Sequence, residues 1–373
     1  MNHDAPSFRS EWLAALAVFV LADSTGAFMR FGAIHGMLGL QFTNLRHAHS
    51  HLMYFGWATP ALMALIAAGL PRLTHRPVSP RFRLAIWLTI AAGLLAYVPF
   101  LLYGYRPAVI AGRALPLSVM AAGLNVLTWY GFAWLYWRHT RGVARRRALR
   151  LWDTAVLFLI ASTLGAAGLP AMTFLGIQNA FWNAAFTHVF LDLFSEGWFV
   201  LALLGVIVAA HPAAARHPWS ATGHDLLVVG LPLIFLLYMP LHVVPAGLRW
   251  VASLGGLLAA AGLLLYVAVL WRAAGKAWRV PLAFLALKAV AQLGLLLPAV
   301  ARWSELVGLR VSYLHWLLLG VISVGLVTAA QAHWGVVSAR GRRAFAGAVL
   351  LLVGTLLPLT QLWPASAVIA AWS

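Results

Sequence analysis

Long apolar stretches alternate with short polar connections from near residue 12 to near residue 363. Each stretch is long enough to cross the roughly 30 Å hydrocarbon core of a bilayer as a helix. The pattern predicts about eleven spans, at residues 12–29, 46–70, 84–104, 117–137, 151–175, 184–210, 225–244, 250–271, 280–300, 312–337 and 344–363. We therefore expect an all-α, polytopic transmembrane helix bundle that forms a single domain over residues 1–373, with no internal repeat.

Composition agrees with a membrane protein. Hydrophobic residues make up 63% of the chain and charged residues 9%, and the mean hydropathy is +0.87. These values lie far outside the range of soluble globular domains. The first span carries Asp23, Ser24 and Thr25 and leads into no small-residue cleavage site, so we expect a retained helix.

The net charge of +18 is concentrated in alternate connections between the spans. Basic residues cluster at Arg72, Arg76, Arg81 and Arg83, at Arg138 to Arg150, at Arg216, at Arg272, Lys276 and Arg279, and at Arg340, Arg342 and Arg343. The positive-inside rule then predicts a cytoplasmic N-terminus and, with an odd number of spans, an external C-terminus. Anionic lipid accounts for the clusters, so we expect the lipid bilayer as a partner, no nucleic acid, and a location in the bacterial cytoplasmic membrane.

Histidines gather at the predicted outer ends of the spans. His47, His49 and His51 enter the second span in the sequence RHAHSHLMYFGW, and His188, His242 and His315 lie at the outer ends of the sixth, seventh and tenth. His47 and His51 are four residues apart and share a helix face, whereas His49 points the other way. Because the chain has no cysteine, a metal here must use histidine or carboxylate ligands.

The sixth span carries His188, Asp192 and Glu196 at successive four-residue steps, which puts them on one helix face. A carboxylate inside a bilayer costs roughly 2.5–3.5 kcal/mol on insertion scales, so this stripe calls for a ligand, a proton path or a partner. The alternative is a closed, hydrogen-bonded stripe against Lys288 and Gln292 of the ninth span.

This stripe resembles the sixth helix of the catalytic subunit of haem-copper oxidases, most closely in the nitric oxide reductase branch, where a metal-binding histidine is followed by two glutamates. The segment LHVVPAGLRWVASLGG resembles the end of the next helix of that family. The resemblance implies a copper or non-haem iron held by His188 and His242, with Asp192 and Glu196 as catalytic carboxylates.

The same resemblance implies a low-spin haem b between the second and tenth helices. Its ligands would be His315 and one of His47, His49 and His51, among which His51 sits deepest, and Arg30 would lie near the haem edge. A haem site also needs an apolar, aromatic slot. Such side chains are present at Tyr54, Phe55, Trp57 and Trp316, and Gly56 would let another element approach closely.

The chain departs from that family at two ligand positions. Val243 stands where a second histidine of a pair is expected, and Tyr313 stands where the ligand of a high-spin haem is expected. Tyrosine can itself ligate haem iron, so both one and two haems stay open. The NnrS family of haem- and copper-associated membrane proteins, which is linked to nitric oxide metabolism, is an equally similar relative.

Three functions remain open from the sequence. The first is a haem-binding, oxidase-like membrane protein for nitric oxide or oxygen redox chemistry or electron transfer, served by an electron-donor protein or subunit. The second is a cofactor-free transporter or proton channel that uses Asp23, Asp192, Glu196 and Lys288. The third is a haem or copper sensor or assembly factor, which the missing histidines favour over a complete oxidase.

Overall fold

The computed structural model describes residues 7–362. The chain divides between Val143 and Ala144 into two compact units. Both units are helical, and the prediction of an all-α fold is confirmed for the described residues, with one two-stranded hairpin as the exception.

The first unit contains four long helices and the hairpin. In chain order these are α1 (Arg9–His35), α2 (Phe42–Thr74), α3 (Arg81–Tyr103), β1 (Ala108–Ile110), β2 (Arg113–Leu115) and α4 (Leu117–Thr140). The strands pair antiparallel, with Val109 opposite Ala114, and connect α3 to α4.

The second unit contains α5 to α11. In chain order these are α5 (Arg147–Phe174), α6 (Ala180–Ala210), α7 (Pro218–Gly230), α8 (Ala246–Ala273), the bent α9 (Lys276–Gly294 and Pro298–Leu306), α10 (Arg310–Trp334) and α11 (Ala339–Leu356). Short helical turns at Pro212–Arg216, Leu231–Leu233, Phe235–Tyr238 and Leu357–Leu359 complete the unit. Asn179 starts α6 by accepting a hydrogen bond from the backbone N–H of Trp182, and Ser338 caps α11 in the same way through Gly341.

Seven helices of the described residues are long and apolar enough to cross a membrane, namely α1, α2, α3, α5, α6, α8 and α10. The chain turns by 113° between the two halves of α9, which brings the number to eight if the pair counts as one span. The predicted spans at 117–137 and 344–363 correspond to α4 and α11, and residue 363 lies outside the described residues. The predicted span at 225–244 is interrupted, because the helix tightens at Leu231–Leu233, where proline removes a backbone donor, and ends at Tyr238.

Three of the long helices contain a π-helical segment, which is a rare and often functional feature. The segments are Leu52–Ala58 in α2, Leu193–Val200 in α6 and Trp316–Ser323 in α10. Each begins directly after a polar residue that we had singled out, namely His51, Asp192 and His315. One local design therefore recurs in the second, sixth and tenth helices.

A glycine five residues after each of these polar residues receives a side chain from the preceding helix. A Cβ atom there would lie 2.5–2.6 Å from that side chain, which is too close for any other residue without a shift. The contacts are Gly56 with Val18 of α1, Gly197 with Phe158 of α5, and Gly320 with Phe284 of α9. The close approach expected at Gly56 is thus confirmed, and α3 also reaches it, since a Cβ on Gly93 would lie 2.9 Å from the Gly56 Cα atom.

Candidate functional site

The three histidines of α2 divide between two sides of the helix, as predicted. The Nδ1 atom of His49 lies 2.8 Å from the Ala22 carbonyl oxygen, and its ring packs against Gly26 of α1. His47 and His51 both contact Phe100 at the end of α3. One ligand therefore cannot be shared by all three imidazoles.

His51 lies in an aromatic pocket of the first unit. Its ring stacks on Phe100 with centroids 3.6 Å apart and meets Phe55 edge-on at 5.0 Å. Tyr105, in the connection after α3, closes the group against His47, with ring centroids 4.7 Å apart. Burial raises the pKa of Tyr105, so its phenol stays neutral.

His51 and His315 make the same backbone hydrogen bond. The Nδ1 atom of His51 lies 2.8 Å from the carbonyl oxygen of His47, and that of His315 lies 2.8 Å from the carbonyl oxygen of Val311. A carbonyl oxygen only accepts, so Nδ1 of each neutral ring carries the proton and the lone pair is on Nε2. This is the arrangement that orients histidine for iron or another metal.

A buried ionic cluster occupies the middle of the second unit. The ammonium group of Lys288 in α9 donates to the carboxylate of Glu196 in α6 and to the side-chain oxygen of Gln292. All three side chains are at most 2% exposed. The amide of Gln292 donates in turn to the Gly256 carbonyl at 2.6 Å, which ties α8 to the cluster. Glu196 therefore pairs with Lys288, which also binds Gln292, as the alternative of a closed stripe predicts, whereas Asp192 of the same stripe bonds to His188.

Two tyrosines extend this cluster. Tyr313 of α10 donates its hydroxyl proton to Glu196 at 2.8 Å and lies 2.7 Å from the hydroxyl of Tyr238. Because the single proton of Tyr313 goes to the carboxylate, Tyr238 is the donor of the bond between the two phenols. The Tyr238 hydroxyl also lies 3.3 Å from the side-chain oxygen of Gln292, a second and more distant acceptor for the same proton. Every residue of the cluster therefore has a polar partner inside the apolar unit.

His188 and His242 have different surroundings. His188 is 3% exposed, and its Nδ1 atom lies 3.0 Å from the carboxylate of Asp192, one helical turn along α6. His242 is exposed in the turn after Tyr238. In residues 7–362 no group of three or more histidine and carboxylate side chains is arranged to hold a metal ion. The structure thus brings His188 and Asp192 together, without His242 as a third ligand.

The remaining candidates lie in α1. Arg30 and Asp23 are both partly buried, in the half of the helix that leads to His35. Thr25, on the same helix, accepts a hydrogen bond from Tyr97 of α3 at 2.9 Å, because its own hydroxyl proton goes to the Leu21 carbonyl. These contacts hold α1 against α3 beside the histidines of α2.

A repeated motif escaped the sequence analysis. In α2, His51 is followed by Gly56 and Thr59, and in α10, His315 is followed at the same spacing by Gly320 and Ser323. The hydroxyls of Thr59 and Ser323 donate to the carbonyls of Tyr54 and Leu318, five residues earlier, at 2.7 and 2.8 Å. The sequence itself carries this motif: a histidine, a glycine five residues later, and a serine or threonine three residues after the glycine. Tyr238 was also missed, since a tyrosine at a helix end is ordinary in a membrane protein.

No protein-family model matches this chain, and no curated protein is significantly similar to it.

Proposed function

We propose that this protein is a haem-binding, oxidase-like integral membrane protein that holds one b-type haem through His51 and His315. The observation that carries the proposal is the match between the two histidines. Each ends an α-helical segment, precedes a π-helical segment, and donates from Nδ1 to the carbonyl four residues earlier at 2.8 Å. Of the three helices with a π-helical segment, these two present equivalent imidazoles at its start.

The chemistry of these side chains fits a low-spin haem. Such a haem takes two neutral imidazoles, each with Nδ1 engaged and Nε2 directed to the iron, in apolar surroundings that exclude water. The rings of Phe55, Phe100 and Tyr105 around His51 supply such surroundings. When bound, the haem would supply one-electron redox chemistry or a site for a diatomic gas.

The contacts of Tyr313 favour a single haem over two. Its hydroxyl is hydrogen-bonded to Glu196 and Tyr238, so the phenol that could have replaced the missing histidine is already engaged. A single haem suits electron relay, the sensing of nitric oxide or its slow reduction, since pairing two nitric oxide molecules needs only two electrons. We therefore propose a relative of nitric oxide reductase or of the NnrS family, served by an electron-donor protein or subunit, rather than a complete oxygen reductase.

The described residues do not fit the copper or non-haem iron centre that the same resemblance implies. Glu196 is paired with Lys288, and His242 is exposed. Among residues 7–362 it belongs to no group of three potential metal ligands. His188 with Asp192 alone supplies two donors. The proposal accordingly rests on haem and not on a second metal.

The membrane arrangement is part of the proposal. We propose eleven spans in the bacterial cytoplasmic membrane, with the N-terminus inside and the C-terminus outside. The basic connections support this orientation. One, at residues 72–83, joins α2 to α3, and the next, at residues 138–150, joins α4 to α5, so both fall on the side that the positive-inside rule assigns to the cytoplasm. The candidate residues His51, His188 and His315 lie on the second, sixth and tenth helices, which is the order that the resemblance to haem-copper oxidases requires.

A second candidate function, a cofactor-free transporter or proton channel, is favoured by the buried pair of Glu196 and Lys288. Ionisable side chains inside a membrane commonly mark ion or proton routes. Glu196, Tyr313 and Tyr238 form consecutive hydrogen bonds along which a proton could move.

Absorption spectroscopy of the detergent-purified protein distinguishes the two candidates. The haem protein is coloured, gives a b-type spectrum on reduction, and yields one haem per chain on extraction. A colourless preparation that catalyses proton or solute flux in vesicles would establish the transporter instead. Two haems per chain together with rapid, cyanide-sensitive oxygen uptake would contradict the single-haem proposal.

A further inference from the structure

An apolar groove lies on the surface of the second unit between α8, α9 and α11. It encloses about 410 Å³ and is lined by Val280, Ala283 and Leu287 of α9 and by Leu350 of α11, with the ring of Phe284 at its base. Leu287 and Leu350 are 45% and 51% exposed. The residues from 280 to 287 extend about two helical turns, or roughly 10 Å, along α9. The groove is therefore long enough and apolar enough to take part of one acyl chain.

One end of the groove is basic. Arg279 begins the α-helical part of α9, and its guanidinium lies 5.8 Å from the centroid of the Trp271 ring at the end of α8. Among residues 7–362, no carboxylate forms an ion pair with Arg279. Arg342, near the start of α11, donates to the Ala277 carbonyl at 3.3 Å, which brings the basic start of α11 to the same end.

We propose that this groove binds an anionic phospholipid, with its phosphate at Arg279 and one acyl chain along Val280, Ala283, Leu287 and Leu350. A guanidinium that has no ion-pair partner among residues 7–362 and lies at the mouth of an apolar groove matches a molecule that joins a negative headgroup to a hydrocarbon tail. Basic pockets between membrane helices bind anionic headgroups, and tryptophan such as Trp271, beside Arg279, prefers the level of the headgroups. A zwitterionic lipid would fill the groove without the gain in charge pairing. This inference does not depend on the proposed haem.

The test is lipid binding to the full-length, detergent-purified protein by native mass spectrometry, with phosphatidylglycerol and phosphatidylcholine of identical acyl chains. One basic residue near an anionic lipid favours it about fivefold, so we expect the tightest site to prefer phosphatidylglycerol by about that factor. Arg279→Gln should abolish the preference, and Arg279→Lys should retain it. Leu287→Trp, which fills the groove, should weaken the binding of both lipids at that site.

The third helix offers matched controls. Arg81 begins α3 and Leu88 is exposed about two turns later, a placement close to that of Arg279 and Leu287 on α9. Arg81→Gln and Leu88→Trp should leave the preference and the tightest site unchanged. The proposal is overturned by equal affinity of the wild-type protein for the two lipids or by an unchanged preference in Arg279→Gln. Displacement of phosphatidylglycerol by an isoprenoid quinone at equal concentration would likewise overturn it and assign the groove to the quinone.

Discussion

The ammonium group of Lys288 is hydrogen-bonded to the carboxylate of Glu196, and the two side chains are 0% and 2% exposed. A buried ion pair adds little stability by itself, because desolvation of the two charges offsets their attraction. Removal of one partner is far more damaging, since it leaves an uncompensated charge in an apolar interior.

Lys288→Met should therefore lower the free energy of unfolding by about 3–5 kcal/mol. The double variant Lys288→Met with Glu196→Gln should recover part of that loss, because it removes the second charge too. Chemical denaturation in detergent measures both. Equal stability of the wild type and Lys288→Met would show that Glu196 is not charged against Lys288.

Tyr313→Phe tests whether this phenol belongs to the cluster or to a haem. The change removes a donor to Glu196 and an acceptor for Tyr238, so stability should fall by about 1–3 kcal/mol. Haem content and the visible spectrum should stay as in the wild type. A fall from two haems to one per chain would instead identify Tyr313 as an iron ligand.

The π-helical segments provide a test of the repeated design. Gly56→Ala puts a methyl group only 2.6 Å from Cγ1 of Val18, so we expect a cost of roughly 1–3 kcal/mol from overpacking. Val18→Ala in the same chain should relieve part of it. Gly131→Ala in α4, where no atom lies within 4 Å of the new methyl group, is the matched control and should be nearly neutral. A similar stability for the two glycine variants would remove the evidence for close packing at Gly56.

Much of this arrangement was accessible from the sequence. The lengths of the apolar segments predicted the helices that carry the candidate residues, and α2, α6 and α10 lie close to their predicted positions. This works because a helix needs about 20 apolar residues to cross the hydrocarbon core of a bilayer. Helical periodicity correctly separated His49 from His47 and His51. It also raised the pairing of Glu196 with Lys288 and Gln292 as an alternative.

Other features depend on tertiary contacts that no local pattern encodes. The π-helical segments arise where a side chain of the preceding helix meets Gly56, Gly197 or Gly320, residues far apart in the chain. Likewise, Tyr238 joins the cluster only because the helix after α7 stops beside α9 and α10. Short helix breaks of this kind interrupt two of the predicted spans, those at 225–244 and 280–300.

Metal analysis distinguishes a haem protein from one with a second metal centre. Because Glu196 is paired with Lys288 and His188 with Asp192, we expect one iron for each extracted haem and less than stoichiometric copper or zinc. The contrary result is one copper or one additional iron per chain that disappears in His188→Ala. In that case the extra metal should persist in the control variant His75→Ala, which changes an exposed histidine.

The central claim is haem ligation by His51 and His315, and the reduced absorption spectrum of single-histidine variants tests it most directly. The wild type and the exposed-site control His75→Ala should show the same low-spin b-type spectrum, and so should His49→Ala, whose ring faces α1. His51→Ala and His315→Ala should each lose that spectrum while they retain their helical content by circular dichroism. A low-spin spectrum of undiminished intensity in His315→Ala would contradict the account.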